Sequence, residues 1–204
     1  MKIKGFYFIT DSALSRKGIF QDVKNALQAS VEIVQYRQKN NNSKEMYEEA
    51  LSLRKICQNI IFIVNDRIDI ALAVGADGVH LGQEDLPCAS ARKILGKNRI
   101  IGVTVHTLKQ AKEAQRNKAD YLGASPIFRT STKPDAGSPK GIELIRDIKK
   151  QVSVPLIAIG GINLDNAVQV VNAGADGLCA ISAILTKPDI RKEIEKFQRL
   201  FAIM

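Results

Sequence analysis

The sequence predicts an α/β chain folded as a single (β/α)8 TIM barrel over residues 1–204. Eight short apolar runs alternate with eight stretches of helical periodicity, the order that a parallel sheet covered by helices requires. The runs lack polar alternation, as strands buried on both faces do. Most of the unusual polar clusters stand just after a run, at the carboxyl ends of the strands, where barrels of this kind keep their chemistry. An open doubly wound sheet is the structural alternative, but eight strands make closure the economical solution.

The first run, Phe6 to Ile9, closes at Thr10 and Asp11, and Phe20, Val23, Ala26 and Leu27 then recur at helical spacing. Val31 to Tyr36 is the second run. Ser43 caps a helix whose apolar face is Met46, Tyr47, Ala50, Leu51 and Leu53, and Ile60 to Val64 follows as the third run, bounded by Asn65, Asp66 and Arg67. A short helix through Ala73 and a Gly-Ala-Asp-Gly turn lead to the fourth run, Gly78 to Leu81. Ala89 to Leu95 reads as helix, Arg99 to Val103 as the fifth strand ending at Thr104, and Leu108 to Asn117 as helix. Tyr121 to Gly123 is a short sixth strand. The polar stretch from Ser125 to Gly141 exceeds the usual connection length, which marks it as a candidate ligand loop or lid. Ile142 to Lys150 is then helical, Val154 to Ile159 is the seventh strand, Leu164 to Asn172 is helical, and Gly177 to Ile181 is the eighth strand. A last helix begins near Asp189.

Composition narrows the function classes. At 45% hydrophobic and 25% charged the chain suits one soluble core. Its net charge of +9 is spread along the sequence rather than gathered in a dense run, and only 5% of residues are aromatic, which argues against nucleic-acid binding. A positive cleft that draws in phosphorylated metabolites fits better. Cys57, Cys88 and Cys179 have neither metal-ligand nor CxxC spacing, so no disulfide framework is expected. The N-terminal run is too short to span a membrane and lacks a secretory cleavage pattern, so the expectation is a cytoplasmic protein with no membrane partner. The sequence leaves a homodimer open.

In the stretch Glu32 to Lys39, Gln35, Arg37 and Lys39 recur every second residue, so an extended backbone points all three the same way. Three such donors suit a multiply charged anion, although an edge strand facing water can look the same. Asp66 and Asp85 follow adjacent strands. Beside Arg37, Lys39 and Lys133 they suit a magnesium-bound pyrophosphate, because magnesium takes one or two carboxylates together with substrate phosphates. Each aspartate alone could instead cap a helix. Gly160 and Gly161, followed by Asn163 at a helix start, and Ile181 with Ser182 on the neighbouring strand, suit a phosphate held by backbone N–H groups. His80 and His106 read as structural.

These motifs carry a resemblance that runs through nearly the whole chain. Gln35-Tyr36-Arg37-Gln38-Lys39, Asn65-Asp66-Arg67, His80-Leu81-Gly82-Gln83-Glu84-Asp85, Thr130-Ser131-Thr132-Lys133 and Ile159-Gly160-Gly161-Ile162 resemble the thiamine phosphate synthase family. The resemblance implies a transferase that joins 4-amino-2-methyl-5-hydroxymethylpyrimidine diphosphate to a thiazole phosphate, releasing pyrophosphate by a dissociative, carbocation route. It implies that Gln35, Tyr36, Arg37, Gln38, Lys39, Asn65, Thr104 and Lys133 bind the pyrimidine diphosphate, with Arg37, Lys39 and Lys133 stabilising the leaving group. Asp66 and Asp85 would hold Mg2+, and Thr130, Ser131, Thr132, Gly161, Ile181 and Ser182 would bind the thiazole phosphate. Thr104 stands where the family commonly has serine, and Gln38 replaces a frequent glutamate. A thiazole tautomerase on the same barrel, or a non-catalytic phosphate-ligand sensor, is the alternative; neither would need the magnesium pair.

Overall fold

Ile33 and Val34 enter a strand because β-branched side chains fit a pleated surface buried on both sides. The same holds for each apolar run. In the computed structural model, which describes residues 3–133 and 136–202, the runs form β1 (Gly5–Ile9), β2 (Ile33–Tyr36), β3 (Ile61–Asn65), β4 (Gly78–Leu81), β5 (Ile100–Val105), β6 (Tyr121–Ala124), β7 (Leu156–Ile159) and β8 (Gly177–Cys179). All neighbours pair in parallel, and β8 returns to β1 through Gly5↔Gly177 and Phe6↔Leu178, so the sheet is a closed barrel in chain order.

Helices α1 (Ile19–Gln28), α2 (Ser43–Ile56), α3 (Ile68–Ala73), α4 (Cys88–Leu95), α5 (Leu108–Arg116), α6 (Gly141–Gln151) and α7 (Leu164–Asn172) form the outer ring. α8 (Ser182–Leu185) and α9 (Ile190–Ala202) complete it. The cap of α2 is Asn42, one residue before the expected Ser43, which is the first helical residue; Asn42 forms a reciprocal box with Glu45 that fixes where the helix begins. The eighth strand is shorter than predicted. Ile181 and Ser182 leave the sheet for α8, a helix of four residues, too short to leave a periodic signal in the sequence. The fifth strand is longer than predicted, so Thr104 lies within it. Pro134 and Asp135, in the loop predicted from 125 to 141, lie outside the described residues.

Apolar side chains segregate into two layers. The larger lies between sheet and helices and contains Val34, Phe62, Leu122 and Phe197; the smaller fills the barrel with Tyr7, Ile33, Ile63, Tyr121 and Ile157. At the amino end of the barrel one device recurs three times. Asp77, Asp120 and Asp176 each precede a strand and accept a backbone N–H from the strand beside it, that of Phe62 (2.8 Å), Ile101 (2.7 Å) and Leu156 (2.8 Å). Each also meets a cation from the helix ring, respectively Arg54, Arg92 and Lys149. Every one of these carboxylates therefore has a backbone donor and an opposite charge, which ties adjacent strands at their starts.

Candidate active site

Alternation in β2 decides which side chains reach the barrel mouth. Gln35 turns inward and Tyr36 outward. Gln35 lines the central cavity together with Arg37, Asn65, Thr104, Thr130 and Lys133, and the cavity continues to Gly161, Ile181 and Ser182. The Tyr36 side chain does not join it. Fully buried against α2, its hydroxyl donates to Glu49 (2.6 Å). The expectation of a substrate contact from this side chain is corrected by the strand's own pleat. Gln38 has its oxygen engaged by the chain itself. Its Oε1 accepts from the N–H groups of Lys39 (2.9 Å) and Asn40 (3.2 Å) and from Ser12 Oγ (3.3 Å), so the side-chain oxygen braces the loop after β2 while the residue still lines the groove beside Arg37 and Lys39.

The loop so braced presents Arg37 and Lys39. Arg37 is held by Thr10, whose Oγ1 accepts its backbone N–H (2.9 Å), and by an ion pair with Asp11 (3.2 Å). Lys39 pairs with Asp66 at 2.5 Å. Both cations border a second groove that reaches Ser131 and Thr132 across the mouth. Asp66 has a left-handed φ of 60° and donates its N–H to the His80 carbonyl (2.8 Å), so the backbone itself turns its carboxylate toward the strand-four loop. There it meets Asp85, whose Oδ2 accepts the Gly82 N–H (2.6 Å).

The two carboxyl groups lie close enough for each to shift the other's ionisation, and two like charges settle side by side only with a proton or a cation between them. Burial would lift Asp66, yet the hydrogen bond from Asp85 and the Lys39 ammonium outweigh it and hold Asp66 below its ordinary value. Burial and the hydrogen bond to Asp66 push Asp85 upward. Among the described residues no group of three or more His, Cys, Asp or Glu assembles around a metal position. A divalent ion at this pair would have two protein carboxylates and complete its shell from phosphate and water.

On the other side of the mouth, Gly161 has φ 62°, and a Cβ there would collide with the Arg129 carbonyl, so glycine lets the loop after β6 lie directly on the end of β7. Phe128 N–H bonds to the Gly160 carbonyl (2.9 Å) along that contact. The first turn of α7 contributes less than expected. Asn163 Oδ1 already accepts from Asp165 and Asn166 N–H (2.9 and 3.2 Å), which leaves the glycine turn and the start of α8 as the backbone that faces the cavity.

Two buried hydroxyls left no signal in the sequence, and His80, read there as structural, joins them. Tyr7, Tyr121 and His80 project inward beneath the cavity, where Tyr7 is fixed by the same alternation that places Ile9 and Gln35. Burial drives His80 down to about 4, with Lys133 adding to the effect and Asp66 opposing it, so its imidazole is neutral at physiological pH.

The thiamine monophosphate synthase family matches residues 6–184. The chain belongs to that family. Family relatives include the thiamine-phosphate synthases of Methanosarcina mazei, 50% identical and covering 94% of this chain and 80% of that protein, and of Chloroflexus aurantiacus, 45% identical and covering 97% and 92%. Among solved structures, the thiamine phosphate pyrophosphorylase from Pyrococcus furiosus superposes with a TM-score of 0.90 at 42% identity, covering 98% of this chain and 96% of that one. A 3-hexulose-6-phosphate synthase at 16% identity and a TM-score of 0.72 shares the fold alone. The activity that goes with this family membership is that of a thiamine-phosphate synthase, a transferase. Among the described residues no helix is long and apolar enough to cross a membrane.

Proposed function

We propose that the mouth of this barrel binds a pyrimidine diphosphate between β2 and β6 and a thiazole phosphate against β7 and β8, and joins them with loss of pyrophosphate. The observation that carries the reading is Asp66, paired with Lys39 and turned by its backbone toward the loop that holds Asp85, beside the groove that Arg37 and Lys39 border. Two carboxylates from adjacent strand ends next to cations match a metal diphosphate, and a site for a lone monophosphate has no use for them. Gln35, Asn65 and Thr104 receive the pyrimidine ring, while Arg37, Lys39 and Lys133 receive the diphosphate. Thr130, Ser131, Thr132, Gly161, Ile181 and Ser182 receive the thiazole phosphate. Asp66 and Asp85 would hold Mg2+, which neutralises charge on the diphosphate.

The bond between the pyrimidine methylene carbon and the diphosphate oxygen breaks with its electron pair, leaving a carbocation and pyrophosphate. The thiazole nitrogen then supplies the pair that forms the new C–N bond. No protein nucleophile is needed. Arg37 and Lys39 stabilise the charge that grows on the leaving oxygens; a preorganised donor of this kind is worth about 3–4 kcal/mol in a water-poor site. The small molecules are the only partners this reading requires.

The test is pyrophosphate release by the purified protein, with each substrate and magnesium omitted in turn. Release that needs both substrates and magnesium and is accompanied by thiamine phosphate is expected. Binding of thiazole phosphate without release would defeat the reading.

A further inference from the structure

A continuous polar chain crosses the apolar interior of the barrel and has both ends in the cavity. Gln35 Nε2 donates to Tyr7 Oη (2.8 Å), Tyr7 Oη meets Tyr121 Oη (2.7 Å), Tyr121 Oη meets His80 Nδ1 (2.9 Å), and His80 Nε2 meets Thr104 Oγ1 (2.8 Å). Tyr7 and Tyr121 are buried among isoleucines. The barrel makes room for this chain by omitting side chains. A Cβ on Gly102 would collide with Cζ of Tyr121, and one on Gly123 would come within 3.1 Å of His80 Cε1.

Such a chain has a direction. A neutral imidazole carries one N–H and one lone pair, and each tyrosine hydroxyl has one hydrogen to give. With Gln35 donating to Tyr7, Tyr7 donates to Tyr121 and Tyr121 to His80 Nδ1. The imidazole proton then sits on Nε2 and is donated to Thr104. Thr104 is left with its own hydroxyl hydrogen for the cavity, while Gln35 keeps its amide oxygen for it. Reversing either end requires every link to reverse, because a buried donor facing a donor costs the full desolvation of both.

We propose that Tyr7, Tyr121 and His80 are positioning residues that tie the amide of Gln35 to the hydroxyl of Thr104, so that the cavity presents an acceptor at one end and a donor at the other and selects an aminopyrimidine. The amino group meets the Gln35 oxygen, and a ring nitrogen meets the Thr104 hydroxyl. A ring carrying an oxo group in place of the amino group presents the opposite polarity and leaves both ends mismatched. The proposal rests on the reading of Gln35 and Thr104 as pyrimidine contacts given above.

The experiment compares the amino substrate with its 4-oxo analogue in wild type, Tyr7→Phe, Tyr121→Phe and Gln35→Leu. Each Tyr→Phe variant is expected to lower the amino-over-oxo preference in kcat/KM by about 10-fold or more, as when a site loses the partners that orient a buried polar contact. KM for the thiazole phosphate should stay within about 2-fold, which a general loss of structure would not allow. Nitrogen-15 NMR of His80 in the wild-type enzyme should place its proton on Nε2, and this measurement decides the matter if either variant fails to fold. A proton on Nδ1 would overturn the proposal. So would an unchanged preference in both folded tyrosine variants while Gln35→Leu abolishes it, which would leave the pyrimidine reading standing. If Gln35→Leu leaves pyrimidine KM and preference untouched, the pyrimidine reading fails and the proposal with it.

Discussion

The two ends of the barrel use aspartate in opposite ways. At the amino end, Asp77, Asp120 and Asp176 each receive a backbone N–H and a basic side chain, so each charge is answered within the fold. At the carboxyl end, Asp66 and Asp85 act on each other as like charges, and the Lys39 ammonium pairs directly with Asp66 and reaches Asp85 only through its field. The residue type is the same and the surroundings differ. A carboxylate whose partners all come from the fold serves stability, whereas a like-charged pair with few partners is what the proposed metal diphosphate would complete.

Asp66→Asn should break the comparison most sharply. It removes one of the two charges that would hold the metal, and turnover should fall at least about 100-fold while the melting temperature changes little. Steady-state kinetics beside thermal unfolding would show it, and a wild-type rate at limiting magnesium would remove the pair from the site. The reverse pattern is expected of Asp77→Ala. Phe62 N–H and Arg54 lose their acceptor, so stability should fall by about 2 kcal/mol, or about 6 °C in Tm, with kcat unchanged once the protein is folded.

The smallest effect separates the two members of the upper pair. Asp85 has its carboxyl raised in the fold, by burial first and by Asp66 second. An acid raised on folding holds a proton that the unfolded chain releases, so it weakens the fold as pH rises through its window and has no effect below the ordinary carboxylate range. Without magnesium, Asp85→Asn should therefore gain stability at neutral pH and gain none in acid, by less than about 1 kcal/mol after solvent screening. Asp66, lowered on folding, contributes with the opposite sign: its stabilisation is present above the ordinary carboxylate value and is lost as pH falls through the folded one. Melting curves against pH would distinguish them, and a gain in acid equal to that at neutral pH would contradict the assignment.

Much of this was legible in the chain because strand period and barrel geometry are both local rules. Eight apolar runs set the strand count, and the residues after each run mark the mouth, which is why Gln35, Asn65, Thr104 and Lys133 all line one cavity. What the chain did not show was orientation within one motif. Tyr36 and Gln38 belong to the same sequence stretch as Arg37, but the pleat turns Tyr36 to the helix layer and the loop turns the Gln38 oxygen onto its own backbone. Buried hydroxyls left no trace at all. Tyr7 and Tyr121 read as apolar strand residues, since only the closed barrel brings positions 114 residues apart into hydrogen-bond contact.

Closure through β1 and β8 also sets an order in time. Until Gly177 pairs with Gly5, both of these strands have bare edges, and bare parallel edges invite pairing with other chains. On the ribosome, β1 emerges first and waits for nearly the entire sheet before its second neighbour exists. α9 then packs over the join, where Phe197 meets Phe6 at 5.4 Å between ring centres. The seam thus joins the first strand of the barrel to its last, a contact of the longest sequence separation in the sheet, and the helix that follows covers it.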